Sequence, residues 1–308
     1  MTIDPGLFAD VADALGIDSP AIVEKDVYAV QLLKQLSTLD SPHFELVFAG
    51  GTSLAKAHRS LFRMSEDIDL KLVEREAAVE GMSRTAMKAA RKAVLADIEA
   101  LISDSGVFQL ESMTKRNEYR YVEYAVRYPR SQVSISALRP SLKLDITASA
   151  LFEPAVPTPV SSLYADALRL APEIEAFPVV SLHSTISEKL VALLRRTAQV
   201  DRDPSRKDDE TLVRHVYDLH MVSASGYDRG ALRLWLMLLY AGMQISLVAS
   251  IPSFWKIRWL SCTMGWLVCV QTLFIGCAMN ALLARWYITN PRHPGMRRCG
   301  QWWHCLSN

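Results

Sequence analysis

Hydrophobic positions follow three patterns along the chain: helical spacing, strict alternation, and long unbroken apolar runs near the C-terminus. Ile22, Val23, Val27, Val30, Leu32, Leu33 and Leu36 recur near helical spacing. Ser19-Pro20 ahead of them is a good helix start, Ser as cap and Pro at the first position. The N-terminal forty residues therefore read as helical. Residues 44–49 (Phe-Glu-Leu-Val-Phe-Ala) read as a strand ending at Gly50-Gly51, with a short helix predicted over 53–61. Ile68, Leu70 and Leu72 alternate with Asp67, Asp69 and Lys71, which predicts a strand with one wet face. A long Ala-rich helix is expected over 76–103. Strands are expected over 118–128 and 132–138 and, after a turn at Arg139-Pro140-Ser141, over 142–148. In that last strand Leu142, Leu144 and Ile146 face one way, while Lys143, Asp145 and Thr147 face the other. Pro154, Pro157 and Pro159 mark a linker. Helices follow over 184–198 and 210–223, with a charged loop at 201–209, and there is no internal repeat.

The third pattern begins near residue 229. Residues 230–251 and 259–284 are strongly apolar, and the second stretch carries no charge. About 20 apolar residues span a bilayer, so hydropathy alone makes this a two-helix membrane hairpin flanked by Arg229, Arg258 and Arg285. Composition changes that picture. All 33 acidic residues lie in 1–228, which sum to −7, while 229–308 sum to +8. All five Cys and all seven Trp lie in the tail. Such a break fits a frameshift near Ser225–Arg229, the preferred reading; a genuine hairpin and an unusual buried helical domain are the others. Translating the other two gene frames beyond codon 225 checks it, since one should continue a charged helical pattern. The body, free of Cys, reads as an ordinary reduced cytosolic protein. Met1-Thr-Ile-Asp-Pro5 lacks the basic and apolar regions of a signal peptide.

The candidate chemistry sits between residues 48 and 70. A strand that ends in Gly50-Gly51 and enters a helix at Thr52-Ser53 brings backbone N–H groups and a positive dipole end close to a phosphate. Asp67 and Asp69, two apart on a strand, share a face and suit Mg²⁺, and Asp145 is positioned to complete the set. Each feature alone has a bland reading: a Gly-Gly turn is usually only a turn, and a strand Asp pair is usually solvated. Lys189 reads by default as an exposed helix lysine, and Asp218 as a surface partner of Arg214. Tyr119, Tyr121, Tyr124 and Tyr128 stack bases or, more often for strand aromatics, pack the sheet. The His residues lack the clustering of a zinc site.

Phe48-Ala-Gly-Gly-Thr-Ser-Leu54 followed by Arg63-Met-Ser-Glu-Asp-Ile-Asp-Leu70 resembles the signature of the AbiEii/AbiGii toxin family, nucleotidyltransferases of the DNA-polymerase-β-like superfamily. Val23-Glu-Lys-Asp26, Lys143-Leu-Asp-Ile146, Ser187-Glu-Lys-Leu-Val-Ala-Leu193 and Arg214-His-Val-Tyr-Asp-Leu219 match further motifs. The resemblance covers roughly residues 15–225. It implies that Gly50, Gly51, Thr52, Ser53, Arg63 and Ser65 bind the nucleotide phosphates. It implies that Asp67 and Asp69 bind Mg²⁺ with Asp145 as third carboxylate, that Lys189 neutralises phosphate charge, and that Asp218 is a late essential acid. In the last motif His215 stands where the family has its first Asp.

The resulting expectation is an α+β fold: a nucleotidyltransferase core with a small mixed β-sheet flanked by helices, then a helical C-terminal half. Residues 1–160 form the core, 161–228 a helical domain, and 229–308 the atypical tail. The implied activity is Mg²⁺-dependent transfer of a nucleotidyl group from an NTP to an acceptor such as tRNA or another RNA. Its setting is a type IV toxin–antitoxin or phage-abortive system with an AbiEi-like antitoxin. The body's acidic balance confines any RNA site to a local basic patch. Alternatives are an inactive nucleotide- or antitoxin-binding relic, and a protein held at the inner membrane through residues 230–284.

Overall fold

The computed structural model describes residues 3–58, 65–133, 136, 138–202 and 212–224, all inside the unit Met1–Trp235. The apolar tail, Arg63 and the 203–209 part of the charged loop lie outside the described residues.

The first helix, α1 (Phe8–Leu15), stops at Gly16, whose φ of 64° is the left-handed value glycine supplies at a helix end. Ser19 accepts from the Ala21 N–H and Pro20 opens α2 (Pro20–Leu36), as the sequence predicts. Strand β1 (Phe44–Ala49) runs straight into α3 (Gly50–Lys56), and β2 (Asp67–Glu74) returns antiparallel beside β1. The predicted 76–103 helix is two helices, α4 (Glu76–Val79) and α5 (Arg84–Ser103). Gly81 at φ 74° breaks the run, and Ser83 caps the second piece through its hydroxyl.

The remaining strands differ more from expectation. Strand β3 (Gln109–Arg116) pairs with β4 (Tyr121–Arg127). The start predicted at 118 falls in their turn, where Asn117, Glu118 and Tyr119 all have positive φ. No described residue between 132 and 138 is in a strand. β5 (Leu142–Ala148) has the predicted register of faces. The proline linker contains β6 (Val156–Val160), followed by α6 (Leu163–Ala167) and β7 (Ile174–Val179). Prolines are tolerated there because β6 is a sheet edge. Helices α7 (Leu182–Arg202) and α8 (Leu212–Ala224) complete the described chain.

The seven strands form one mixed sheet in the order β3-β4-β5-β2-β1-β7-β6. It is thus larger than the small sheet expected, and β7, inside 161–228, is one of its strands. Two pairings position the candidate residues: β2 runs parallel to β5, and β1 lies antiparallel on the other side of β2. Ile68, Leu70, Leu72, Leu142, Leu144 and Ile146 point into a core shared with Leu33 and Leu36 of α2 and Val94, Ile98 and Ile102 of α5. Alternation therefore turns Asp67, Asp69, Lys143 and Asp145 to the opposite face. Burying the apolar face fixes the register of the polar one, because a one-residue slip would drive the carboxylates into the core.

Candidate active site

The turn after β1 is shaped around one carboxylate. Ala49 pairs with Asp69 in the register, and Gly50 follows at φ 77°. A Cβ on Gly50 would stand 1.9 Å from Asp69 Oδ2, so any side chain there excludes Asp69 from its place. Ser53 is buried and its hydroxyl donates to the Gly50 carbonyl at 2.9 Å, while the Thr52 hydroxyl donates to the Asp67 carbonyl. Both side chains therefore brace the turn against β2. Ala49 supplies no side-chain cap, so what α3 presents outward is its first-turn backbone N–H groups.

The parallel pairing of β2 and β5 sets Asp145 beside Asp69 and Lys143 beside Asp67. Lys143 Nζ donates to Asp145 Oδ2 at 2.8 Å and lies 3.3 Å from Glu123 Oε2. The Tyr121 hydroxyl is 3.2 Å from Asp145 Oδ1 and 3.0 Å from Glu123 Oε2. Arg139, from the loop before β5, donates through Nη1 to Asp67 Oδ1. Asp69 lies between these pairs. Burial, then the charges of Asp145 and Asp67, push its pKa up to about 7, against the opposing pull of Lys189 and Lys143. The Tyr121 hydroxyl is raised to about 12, first by burial and then by the charge of Asp145.

Lys189 of α7 and Asp218 of α8 form an ion pair at 2.8 Å, with Asp218 wholly buried and Lys189 nearly so. This corrects the surface reading of both residues. Lys189 is close enough for its charge to lower the Asp69 pKa. Asp218 holds Lys189 through this pair. Next along α7, Glu188 pairs with Lys71 of β2, so the Glu-Lys pair ties the helix to the polar face of the sheet. Ser65 lies in the segment entering β2. Tyr124 and Tyr128 are buried in the core, which settles those two as packing residues.

A second group of charges, in the Val23-Glu-Lys-Asp26 motif, had no role assigned from the sequence. Glu24, Lys25 and Asp26 are all buried. Glu24 accepts from the Ser131 N–H and hydroxyl, both at 2.6 Å, and from the Gln132 N–H. Lys25 donates to Glu66 at 2.6 Å and to the Arg139 carbonyl at 2.9 Å. Asp26 pairs with Lys56 at the end of α3 and accepts from the Leu163 N–H. Three successive side chains thus pin three loops around the site. The sequence marked Val23-Glu-Lys-Asp26 as a motif of the resembled family and showed three charges inside an apolar helix pattern, but nothing in it pointed to their partners.

Among the described residues no group of three His, Cys, Asp or Glu forms a ready-made metal cluster. The donor chemistry nevertheless fits a hard divalent cation: carboxylate oxygens on adjacent strands, one of them with its ionised form disfavoured by burial and by two neighbouring negative charges. A divalent ion is the partner that would relieve that repulsion.

The structure thus brings together a carboxylate pair on one strand, a third carboxylate on its neighbour, and a glycine turn pressed against Asp69. The family described as "Nucleotidyl transferase AbiEii toxin, Type IV TA system" matches residues 31–244, and the chain belongs to that family. It is similar to MenT4, a nucleotidyltransferase toxin from Mycobacterium tuberculosis H37Rv, at 24% identity over 69% of this chain and 68% of that one, with a TM-score of 0.45. It is also similar to the antibiotic-resistance factor ANT(2'')-Ia, at 14% identity over 73% of this chain and 99% of that one, with a TM-score of 0.37. No curated protein matches the sequence. No helix among the described residues is long and apolar enough to cross a membrane.

Proposed function

We propose that this protein transfers a nucleotidyl group from an NTP to an RNA acceptor, tRNA foremost, in a Mg²⁺-dependent reaction of a type IV toxin–antitoxin system. The single observation that carries the reading is that β2 and β5 bring Asp67, Asp69 and Asp145 to one face, where burial and two neighbouring negative charges disfavour the ionised form of Asp69. Asp67 and Asp69, with Asp145 beside them, would hold the metal. Mg²⁺ bound there supplies charge neutralisation and alignment for the phosphates. Gly50, Gly51 and the first turn of α3 receive the triphosphate through backbone N–H groups. Lys189, held by Asp218, places an ammonium over the same region. An acceptor hydroxyl oxygen bonds to the α-phosphorus and releases its proton to solvent, the bond from that phosphorus to the oxygen bridging the β-phosphorus breaks, and pyrophosphate departs.

The toxin role implies a cognate antitoxin of the AbiEi type, which prevents this reaction in the cell, and a cytoplasmic site of action. A role in abortive infection belongs to the same reading. Incubating the purified chain with each labelled NTP, Mg²⁺ and total RNA tests the enzymatic claim. The expected result is label on RNA with one preferred NTP, reduced about a thousandfold in Asp67→Ala, since losing metal stabilisation removes several kcal/mol. Equal labelling by wild type and Asp67→Ala, or none by wild type, contradicts it.

A further inference from the structure

The side chain of Arg139 is half exposed, yet both its backbone and its guanidinium are held. Lys25 Nζ donates to its carbonyl at 2.9 Å, and its N–H donates to Glu66 Oε2 at 3.0 Å. Glu66 is itself fixed by Lys25 at 2.6 Å. This clamp, anchored on a buried lysine of α2, sets the loop before β5 against the residue that precedes Asp67. From there the guanidinium reaches Asp67 and pairs with its Oδ1. A planar five-donor cation therefore stands on a carboxylate that the proposed function assigns to Mg²⁺. The other flanking carboxylate, Asp145, has a counterion from its own strand, Lys143. Arg139 differs in coming from a loop, on a long side chain that can swing while its backbone stays fixed.

We propose that Arg139 is a substrate-binding residue that serves as the internal counterion of Asp67 and is displaced when a divalent cation and an NTP arrive, its guanidinium then engaging a phosphate of the nucleotide. This inference rests on the proposed function. One residue thereby has two opposite effects. It competes with the metal when no nucleotide is present, and it strengthens binding of the metal–nucleotide complex, because guanidinium matches phosphate as well as it matches carboxylate.

Mn²⁺ binding to the full-length protein, followed by electron paramagnetic resonance, tests the pair of effects directly, first without nucleotide and then with a non-hydrolysable ATP analogue and its GTP, CTP and UTP counterparts. In Arg139→Gln, Mn²⁺ alone should bind about fivefold tighter than in wild type, the size expected for removing a partly exposed ion pair. The best Mn²⁺–nucleotide complex should bind about tenfold weaker. Arg139→Lys keeps the charge and should leave the affinity for Mn²⁺ alone near that of wild type. A general structural defect would weaken both forms of binding. Unchanged or weaker binding of Mn²⁺ alone by Arg139→Gln overturns the inference, as does undiminished nucleotide binding. Asp67→Asn is the control for the reading beneath it: if that variant binds Mn²⁺ as wild type does, the metal assignment fails, whatever Arg139 does.

Discussion

Two groups of buried or half-buried charges lie on adjoining elements of this protein, and they are built on opposite principles. In Glu24, Lys25 and Asp26 of α2, each charge meets donors or acceptors of its own, from Ser131 and Gln132, from Glu66 and the Arg139 carbonyl, and from Lys56 and the Leu163 N–H. In Asp67, Asp69 and Asp145 the outer two have counterions in Arg139 and Lys143, while burial and then the charges of its two neighbours push the pKa of the middle one up to about 7. The first arrangement fixes loops. The second is costly for the free protein and is relieved by a divalent cation. A buried charge by itself therefore says little about function; whether its surroundings already satisfy it is what separates scaffold from site.

The largest effect should come from breaking the satisfied group. Asp26→Ala leaves Lys56 buried without its carboxylate and the Leu163 N–H without its acceptor. We expect about 4 kcal/mol of stability to go, read as a lower urea midpoint with an unchanged slope. A loss below about 1 kcal/mol would put the trio on the functional side of the comparison.

Next comes Gly50→Ala, at the turn pressed against Asp69. The positive φ and the contact with Asp69 Oδ2 should together cost about 2 kcal/mol. Metal binding should fall along with stability, because Asp69 is the atom group that must move. A variant that loses stability but binds Mn²⁺ normally would show that Asp69 is not needed where it stands.

Asp69→Asn should act in the opposite direction from Asp26→Ala. Between about pH 4 and pH 7 the folded chain holds a proton on Asp69 that the unfolded chain, with the ordinary value of 3.8, has lost. The stability this proton brings is complete below pH 4 and is lost as pH rises through 7. In metal-free buffer the Asn variant should therefore be more stable than wild type by about 4 kcal/mol at pH 8 and equal to it near pH 4. Thermal melts across that range read the difference; a constant offset at all pH values would contradict it.

The smallest effect serves as a baseline for ordinary surface charge. Arg127 and Glu111 form an exposed pair at 2.6 Å, and Arg127→Ala should change stability by less than about 1 kcal/mol and leave transfer to RNA unaltered.

What the sequence made legible follows from how local each feature is. Asp67, Asp69 and Asp145 could be placed on a wet face because Ile68, Leu70, Leu144 and Ile146 alternate with them, and burial of those apolar residues enforces the same alternation in three dimensions. The turn at Gly50 was visible as a dipeptide. Its need for a bare hydrogen facing Asp69 was not, since that contact crosses between strands. Strand β3 escaped notice because it is an edge strand with hardly any buried residue, leaving no pattern to read. Strand β6 was hidden by its prolines. Arg139 looked like part of a turn, and nothing adjacent in sequence signals its reach to Asp67, 72 positions away. Lys189 and Asp218 looked like surface residues because the apposition of α7 and α8 that buries them is likewise non-local.

The central claim is that the crowded carboxylates form the site for metal and nucleotide. Thermal unfolding of wild type and Asp67→Asn, each with and without Mg²⁺ and a non-hydrolysable NTP, tests it most directly. A ligand present at a hundred times its dissociation constant stabilises by about 2.7 kcal/mol. Wild type should gain that much when Mg²⁺ and the nucleotide are added together, and Asp67→Asn should gain almost nothing. Equal gains in both proteins would mean that nucleotide binds without this carboxylate and would contradict the assignment of the site.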